Sequence, residues 1–299
     1  MNARWKSGNA PRVSLLALGL AAAVATQPTL ARDNDDDCGD RGEAVKGPKV
    51  RVFGLTTDQR LVAFKECSPG WTSNIGFVNG LQAGDTTLVG IDFRIQDGNL
   101  YGVGNGGGIY TIDNKTAAAT KVSQLSVALD GIAFGVDFNP AADRLRVVSN
   151  TGQNLRHNVN AGGVTLVDAA LNYTAGVTAA GITGAAYTNN DLDPNTGTSL
   201  FDLDAMQNQV ALQSPPNNGS LAVTGKLTVD PDGPVGFDIH TRFVNGMATT
   251  NQGYASLHVG GVNGFYRINL LTGRATAIGK FASDSIADIA VALQQEDDD

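Results

Sequence analysis

A short phrase that recurs along this sequence constrains its fold more than any other feature. The phrase is a glycine, an apolar residue, an aspartate and a second apolar residue, and it begins at Gly90, Gly135 and Gly236. A degenerate copy without the aspartate begins at Gly184, and the four glycines are 45, 49 and 52 residues apart. Self-similarity at a period of roughly 20–50 residues is typical of repeat architectures such as propellers and solenoids.

Each copy of the phrase is followed by turn residues and by further short segments with strand character. In the clearest copy, which begins at Gly90, these segments are residues 100–103, 109–112 and 119–122. Four short strands in each stretch of about 50 residues, without helical periodicity, predict the blade of a β-propeller. Solenoid β-helices use much shorter repeats, and a sandwich has no reason to repeat at this period.

The two ends of the repeat region predict how the ring closes. Residues 52–55 and 60–64 align with the second and third strands of a blade, so the first copy lacks its own inner strand. The missing phrase is found at the other end of the chain, at residues 285–289. We therefore predict an all-β propeller of five four-stranded blades over residues 48–293. Its ring is closed by the C-terminal strand pairing with the first blade, which leaves no exposed edge.

The N-terminal segment has the order of a secretory signal peptide. Three basic residues precede an apolar run at residues 13–25, and small residues follow up to Ala31. The alternative is a membrane anchor, but the run is shorter than the ~20 residues that a span requires. We expect a signal peptide at residues 1–31, cleavage near Ala31, a secreted or periplasmic product and no membrane span.

The termini of the mature chain are acidic. Clustered carboxylates in residues 32–47 and 294–299 repel one another and bury no apolar area, so we predict a flexible N-terminal arm and a C-terminal tail. The formal net charge of the whole chain is −8. This charge leaves no basic surface for a phosphate backbone, so nucleic acid is excluded as a partner. We also expect the protein to be a monomer.

Cys38 and Cys67 are the two cysteines of the sequence. Their spacing matches no zinc motif, and in an exported chain oxidising conditions favour pairing. We predict a structural disulfide in preference to two free thiols. It would close a loop of about 30 residues and tie the acidic arm to the first blade.

The central part of the chain resembles a known family. The stretch GVDFNPAADRLRVVSNTGQNLR at residues 135–156, together with AYTNN at 186–190 and SLFDLD at 199–204, is similar to the secreted family catalogued as domain of unknown function 4394. The resemblance extends over roughly residues 48–293. It implies a propeller-like repeat protein without an established activity, and it provides no catalytic residues.

Four aspartates occupy one equivalent position in the inner strands, which line the channel of a propeller: Asp92, Asp137, Asp238 and Asp288. Carboxylates that converge from several blades can bind Ca²⁺ or Mg²⁺, or can form a charged funnel for a cationic ligand. Ala186 stands at the fifth position, so such a ring is incomplete.

A structural role is the alternative for these aspartates, and we favour it. A carboxylate on a packed strand can anchor the neighbouring blade through backbone N–H groups or through an arginine. Arg144 and Arg146 are two residues apart and lie on one face of a strand, so they are the predicted partners.

A polar connection in the third blade is the preferred ligand-binding patch, because exposed loops on a rigid scaffold commonly bind ligands. Its residues are Asn150, Gln153, Asn154, Arg156 and His157. A plain solvated hairpin is the alternative. The loop from Asp191 to Gly197 has the alternating oxygen side chains of a calcium site, but it departs from the EF-hand pattern, and turn chemistry explains it equally well.

The function that we favour is a non-enzymatic binding or envelope-interaction module that uses loops on one face. Its expected partner is a surface glycan, a peptide or an envelope protein. The alternative is a metal-assisted hydrolase or lyase that acts at the mouth of the channel. Little supports nucleophilic catalysis, because the sequence has no Gly-x-Ser-x-Gly motif and its three histidines lack metal-ligand spacing. His240 follows Asp238 by two residues, so the two side chains share one side of a strand.

Overall fold

The computed structural model describes residues 50–293, except residues 83, 194, 245 and 246. The predicted signal peptide, the acidic arm, the C-terminal tail and Cys38 all lie outside the described residues. The Cys38–Cys67 disulfide therefore stays a prediction. No helix in the described part of the chain is long and apolar enough to cross a membrane. The helix that it contains is a single 3₁₀ turn at Pro216–Asn218.

The described chain forms antiparallel sheets of four strands, which are the blades. Blade 1 contains β1 (Arg51–Thr56), β2 (Arg60–Lys65) and β3 (Ser73–Phe77). Blade 2 contains β4 (Leu88–Phe93), β5 (Leu100–Gly104), β6 (Gly108–Ile112) and β7 (Ala119–Gln124). Blade 3 contains β8 (Phe134–Asn139), β9 (Arg144–Ser149), β10 (Asn154–His157) and β11 (Thr165–Val167).

The second half of the chain continues the pattern. A short hairpin, β12 (Asn172–Thr174) and β13 (Val177–Thr178), precedes blade 4. Blade 4 contains β14 (Ile182–Tyr187), β15 (Leu200–Asp204), β16 (Gln209–Gln213) and β17 (Leu221–Lys226). Blade 5 contains β18 (Val235–Val244), β19 (Met247–Val259), β20 (Val262–Ile268) and β21 (Ala275–Lys280). The last strand, β22 (Ile286–Val291), belongs to blade 1.

The five inner strands form a closed ring around an axis. β4 contacts β8, β8 contacts β14, β14 contacts β18, β18 contacts β22, and β22 contacts β4. β22 pairs with β1, with Val52 opposite Val291 and Gly54 opposite Ile289. The predicted five-bladed propeller and its closure by the C-terminal strand are therefore confirmed.

The hydrophobic core lies between successive blades, because each sheet buries both of its faces against its neighbours. Phe53 of blade 1 and Phe93 of blade 2 meet edge to face, with ring centroids 5.4 Å apart. Leu203 of blade 4 and Phe237 of blade 5 belong to one buried cluster. Full burial of one such side chain contributes roughly 1.5–3 kcal/mol, so the packing between blades holds the ring together.

The glycine that opens each phrase is required by the close approach of the inner strands. A Cβ atom on Gly135 would lie 2.5 Å from the backbone nitrogen of Ala185 in the next blade. A Cβ atom on Gly184 would lie 2.7 Å from the Cβ atom of Phe237. A side chain at either position would therefore separate two neighbouring inner strands, which explains why the phrase begins with glycine.

Blade 5 has a longer inner hairpin than the other blades. β18 has 10 residues and β19 has 13, whereas the inner strands β4, β8, β14 and β22 have 6 each. Four additional residues extend a strand by about 13 Å. The hairpin therefore extends beyond the other blades at the end of the channel where the inner strands finish.

Candidate functional site

The four predicted aspartates come together on the axis of the ring. Asp92, Asp137 and Asp238 each offer a carboxylate oxygen, and the three oxygens lie within 4.8 Å of one another. Asp288 is close enough to raise the pKa of both Asp92 and Asp137 through its charge. All four side chains are buried. Carboxylates of three blades therefore lie close together, and a metal or ligand site at these aspartates stays a prediction.

Each of these carboxylates accepts a hydrogen bond from a backbone N–H group of the next blade. The donors are Ile91 to Asp288 at 2.8 Å, Phe138 to Asp92 at 2.7 Å, Tyr187 to Asp137 at 3.1 Å and Val291 to Asp238 at 2.5 Å. All four bonds run in the same rotational sense around the ring. The aspartates thus connect blade 1 to 2, 2 to 3, 3 to 4 and 5 to 1.

The contact between blades 4 and 5 is built differently, because Ala186 replaces the aspartate there. The side-chain amide of Asn190 donates to the carbonyl of Ile239 at 3.3 Å. Asn251 accepts from the backbone N–H of Asn189 at 2.9 Å and donates to its side-chain oxygen at 2.7 Å. This network was not predicted from the sequence. The sequence feature that indicates it is the Asn-Asn pair that follows the degenerate phrase.

Burial determines the protonation of the axial carboxylates. Desolvation raises the pKa values of Asp92, Asp137 and Asp288 well above their usual range, and repulsion between the neighbouring carboxylates raises them further. Desolvation also raises the pKa of Asp238 to about 6, although two backbone N–H groups oppose it. Charges this close cannot all be ionised near neutral pH unless a positive charge compensates them. The cluster can therefore hold protons or a cation that prefers oxygen ligands.

A small pocket of about 20 Å³ lies at the end of the channel where the inner strands finish. Residues of four blades line it: Ile95, Asn190, Ile239, His240, Thr241, Phe243, Val291, Ala292 and Leu293. The backbone N–H groups of two of them, Ile239 and Val291, bind Asp238, so the pocket borders the carboxylates. Burial lowers the pKa of His240, which favours the neutral imidazole.

The two arginines predicted to pair with the axial aspartates have other partners. Arg146 is buried and donates to Asp168 at 2.6 Å, Asn154 at 2.7 Å and Asn217 at 3.0 Å. Arg144 donates to the backbone carbonyls of the turn that precedes it. Backbone N–H groups, and not these arginines, therefore occupy the axial carboxylates.

The polar connection of blade 3 makes its contacts inside the fold. Asn150 accepts from the N–H groups of residues 132 and 133, and Gln153 bonds to the backbone at residues 128 and 130. Asn154 is buried against Arg146, and Arg156 forms an ion pair with Asp168 at 2.6 Å. His157 is buried between Ser123 and Thr165. A ligand-binding role for these five residues stays a prediction.

The acidic loop of blade 4 uses its carboxylates in local turns. Asp191 accepts from the N–H group of Asp193, and Asp193 accepts from that of Asn195, each at 2.9 Å. These are the bonds expected when Asp stabilises a turn. Calcium binding by this loop stays a prediction.

Three solved structures share a limited similarity with this fold. A protein of unknown function from Bacteroides thetaiotaomicron aligns over 82% of this chain and 67% of its own, with 13% identity and a TM-score of 0.45. An auxiliary nutrient binding protein from Bacteroides ovatus aligns over 58% of this chain and 46% of its own, with 13% identity and a TM-score of 0.38. A second auxiliary nutrient binding protein, from Bacteroides thetaiotaomicron, aligns over 78% of this chain and 59% of its own, with 14% identity and a TM-score of 0.39. This chain spans less than two thirds of either nutrient binding protein.

Sequence comparison gives a clearer result. No curated protein matches the chain. One family matches residues 60–290, which is most of the chain and includes blades 2 to 5 and most of blade 1. The resemblance inferred from the central repeats is confirmed, and the chain belongs to the family described as Domain of unknown function (DUF4394).

Proposed function

We propose that this protein is an exported binding module, not an enzyme, and that the axial pocket with the adjoining carboxylates receives a cation or one cationic group of a larger partner. The observation that carries this proposal is the convergence of three carboxylate oxygens from three blades within 4.8 Å, next to a pocket. The signal peptide predicted at residues 1–31 supports this proposal, because export would bring such a module to surface glycans, peptides and envelope proteins.

The chemistry of the cluster favours a positive ligand. An ionised carboxylate has about four lone-pair sites, so the two N–H bonds that Asp238 accepts still leave acceptor capacity available. The N–H bonds hold the side chains in place, which reduces the entropy lost when a ligand binds. A cation relieves the repulsion that raises the pKa values of Asp92 and Asp137, and it displaces protons from the cluster.

The size of the pocket limits the ligand. Sites for whole organic ligands commonly enclose about 300–1,000 Å³, and this pocket, at about 20 Å³, is far smaller. It suits a metal ion or the head of a single ammonium group, because a cavity of about 10–15 Å³ already holds one water-sized particle. A lysine side chain or an amino sugar of a larger partner has this chemistry.

Calorimetry on the mature protein tests the proposal. CaCl₂, MgCl₂ and lysine amide are titrated separately into wild type, Asp137→Asn and Asp113→Asn. Asp113 is an exposed turn residue of blade 2, so it provides a matched control. We expect at least one probe to bind wild type and Asp113→Asn, and to bind Asp137→Asn at least tenfold more weakly. Absence of binding to wild type, or equal loss in both variants, contradicts the proposal.

A second candidate is a metal-assisted hydrolase or lyase at the same pocket. The observation that favours it is His240, because a neutral imidazole beside a metal can accept a proton from a bound water. Turnover of ester or glycoside substrates by the metal-loaded protein, lost in His240→Gln with metal binding retained, would support this candidate. Metal binding without turnover supports the binding module.

Export is tested separately. The N-terminal sequence of the protein recovered outside the cytoplasm should begin close to residue 32. Recovery of the intact N-terminus would contradict the predicted cleavage.

A further inference from the structure

A buried carboxylate lies between blades 3 and 4, away from the axial cluster. Asp202 is fully buried, and neither of its oxygens has a hydrogen-bond partner among the described residues. It is two residues from Leu200, which belongs to one buried cluster with Val148 of blade 3, so Asp202 faces the same space. We call this space the 3–4 seam, and Arg146, Tyr187 and Asp202 define it. A buried carboxylate without a partner is costly, so its presence requires an explanation.

A second buried acceptor without a partner belongs to the same face of blade 4. Gln213 is 1% exposed, and its Oε1 atom has no partner within the described part of the chain. Its Nε2 atom donates to the carbonyl of Pro216 at 2.6 Å, and this bond fixes the amide orientation, because a flip would oppose two oxygens. Asp202 pairs with Ala211 and Leu200 pairs with Gln213, so Asp202 and Gln213 are diagonal neighbours. Diagonal neighbours are about 7–8 Å apart at Cα, within reach of long side chains.

The fold itself does not require a carboxylate at this position. In blade 4 Asp202 lies opposite Ala185, the residue before the axial position. The corresponding residues of blades 2, 3 and 5 are Gly102, Val147 and Ala255. These are small or apolar residues, which pack between blades without a polar partner. Asp202 therefore departs from the repeat at a buried position.

The charges around Asp202 do not balance. From blade 3, Arg146 shares the carboxylate of Asp168 with Arg156. From blade 4, Asp204 accepts from the hydroxyl of Tyr173 at 2.7 Å, and its charge also acts on Asp202. Desolvation raises the pKa of Asp202 well above its usual range, and Arg146 opposes this only in part. When Asp202 is ionised, two arginines face three aspartates, so the ionised form requires a further positive charge.

We propose that Asp202 and Gln213 bind a metal cation in the 3–4 seam, of the class that prefers oxygen ligands: Na⁺, K⁺ or Ca²⁺. The two carboxylate oxygens and the amide oxygen are three acceptors that lack a donor. A proton satisfies one acceptor and a water molecule offers two hydrogens, whereas a cation contacts all three oxygens and also compensates the charge. The bound cation joins blades 3 and 4 at a position where the other blades are joined by apolar packing.

Melting curves of the purified protein test this site. NaCl, KCl and CaCl₂ are compared with choline chloride at constant ionic strength and pH 7.5, for wild type, Asp202→Asn and Asp92→Asn. We expect one of the metal ions to raise the melting temperature of wild type by about 5–10 °C at 100 times its Kd. Asp202→Asn should fold, because its amide can donate to Gln213, and should lose this rise. Asp92→Asn, which alters the axial cluster, should keep the part of the rise that Asp202→Asn loses.

Two results would overturn the proposal. The first is a metal-dependent rise that Asp202→Asn retains in full. The second is a wild-type protein that no metal ion stabilises but that becomes more stable between pH 8 and pH 6, with this change absent in Asp202→Asn, because a proton would then occupy Asp202. Loss of the rise in Asp92→Asn alone would place the cation at the axis and would also contradict the seam site.

Discussion

The backbone N–H group of Phe138 donates a hydrogen bond of 2.7 Å to the carboxylate of Asp92, across the boundary between blades 2 and 3. Both residues are buried on inner strands, so water cannot replace either partner without opening the ring. The same relationship connects three other pairs of adjacent blades. The axial aspartates therefore combine a structural bond with an excess of negative charge.

Removal of one axial acceptor should destabilise the ring. In Asp92→Ala the N–H group of Phe138 loses its partner in a buried site, which should lower the free energy of unfolding by about 1–3 kcal/mol. Asp92→Asn keeps a carbonyl acceptor, so its free energy of unfolding should decrease much less. Urea unfolding at pH 7 measures the free energy of unfolding of both variants. Equal losses in the two variants would show that the charge of Asp92, and not its hydrogen bond, stabilises the ring.

Without metal ions, the protein should lose stability as the pH rises from about 4 to 6. The pKa of Asp238 is raised from 3.8 to about 6 in the folded state, so the folded protein binds more protons than the unfolded chain in this range. Its stabilising contribution is complete below the unfolded pKa and disappears as the pH passes the folded value, a change of up to about 3 kcal/mol.

Urea midpoints measured in a chelating buffer from pH 4 to pH 8 test this expectation. The raised pKa values of Asp92, Asp137 and Asp288 have the same sign and extend the decline to higher pH. In Asp238→Asn the slope between pH 4 and 6 should be smaller. A stability that rises with pH over this range would contradict the prediction.

Arg146 should be among the most sensitive positions of the chain. It is 1% exposed and donates to Tyr187, Asn154, Asp168 and Asn217. Arg146→Met leaves a buried carboxylate without this partner, which typically costs about 3–5 kcal/mol. Thermal unfolding measures the loss.

Arg144→Met is the matched control for this prediction. Arg144 is on the same strand but is partly exposed and donates to backbone carbonyls, so its replacement should change stability by less than about 1 kcal/mol. Similar losses of stability in both variants would show that the buried hydrogen bonds of Arg146 stabilise the protein no more than the contacts of Arg144.

Gly135→Ala should destabilise the ring, because the new methyl group would lie 2.5 Å from the backbone of Ala185. Overpacking of this kind costs about 1–3 kcal/mol. Gly197→Ala is the control, because a Cβ atom there meets nothing within 4 Å. The two melting temperatures should differ by several degrees. A Gly135→Ala protein as stable as wild type would show that the inner strands can separate without cost.

The repeated phrase was sufficient to predict the blades and the convergence of the aspartates. One repeat of the phrase corresponds to one blade. The same position in each inner strand therefore lies near the axis, whatever residues the loops contain. The missing inner strand of blade 1 was predicted in the same way from the phrase at residues 285–289, and β22 begins at Ile286.

The partners of the polar side chains could not be predicted in this way. The period does not tell in which direction a carboxylate points, so Arg144 and Arg146 were expected where the N–H group of the next blade is found. Hydrophilic character does not determine exposure either, since His157 is polar but fully buried between blades 2 and 3. Asp202 was part of a quoted family motif, and only the strand register shows that it replaces a small or apolar residue.

The pairing of β1 with β22 has a consequence for how the chain folds. Blades 2 to 5 contain only consecutive strands, so each can form from local contacts. Blade 1 needs segments from both ends of the domain, and the large sequence separation makes this contact slow to form. Until the last strand arrives, β1 presents an unpaired edge to other chains. The late joining of these ends is therefore the step at which a nascent molecule is most exposed to misassembly.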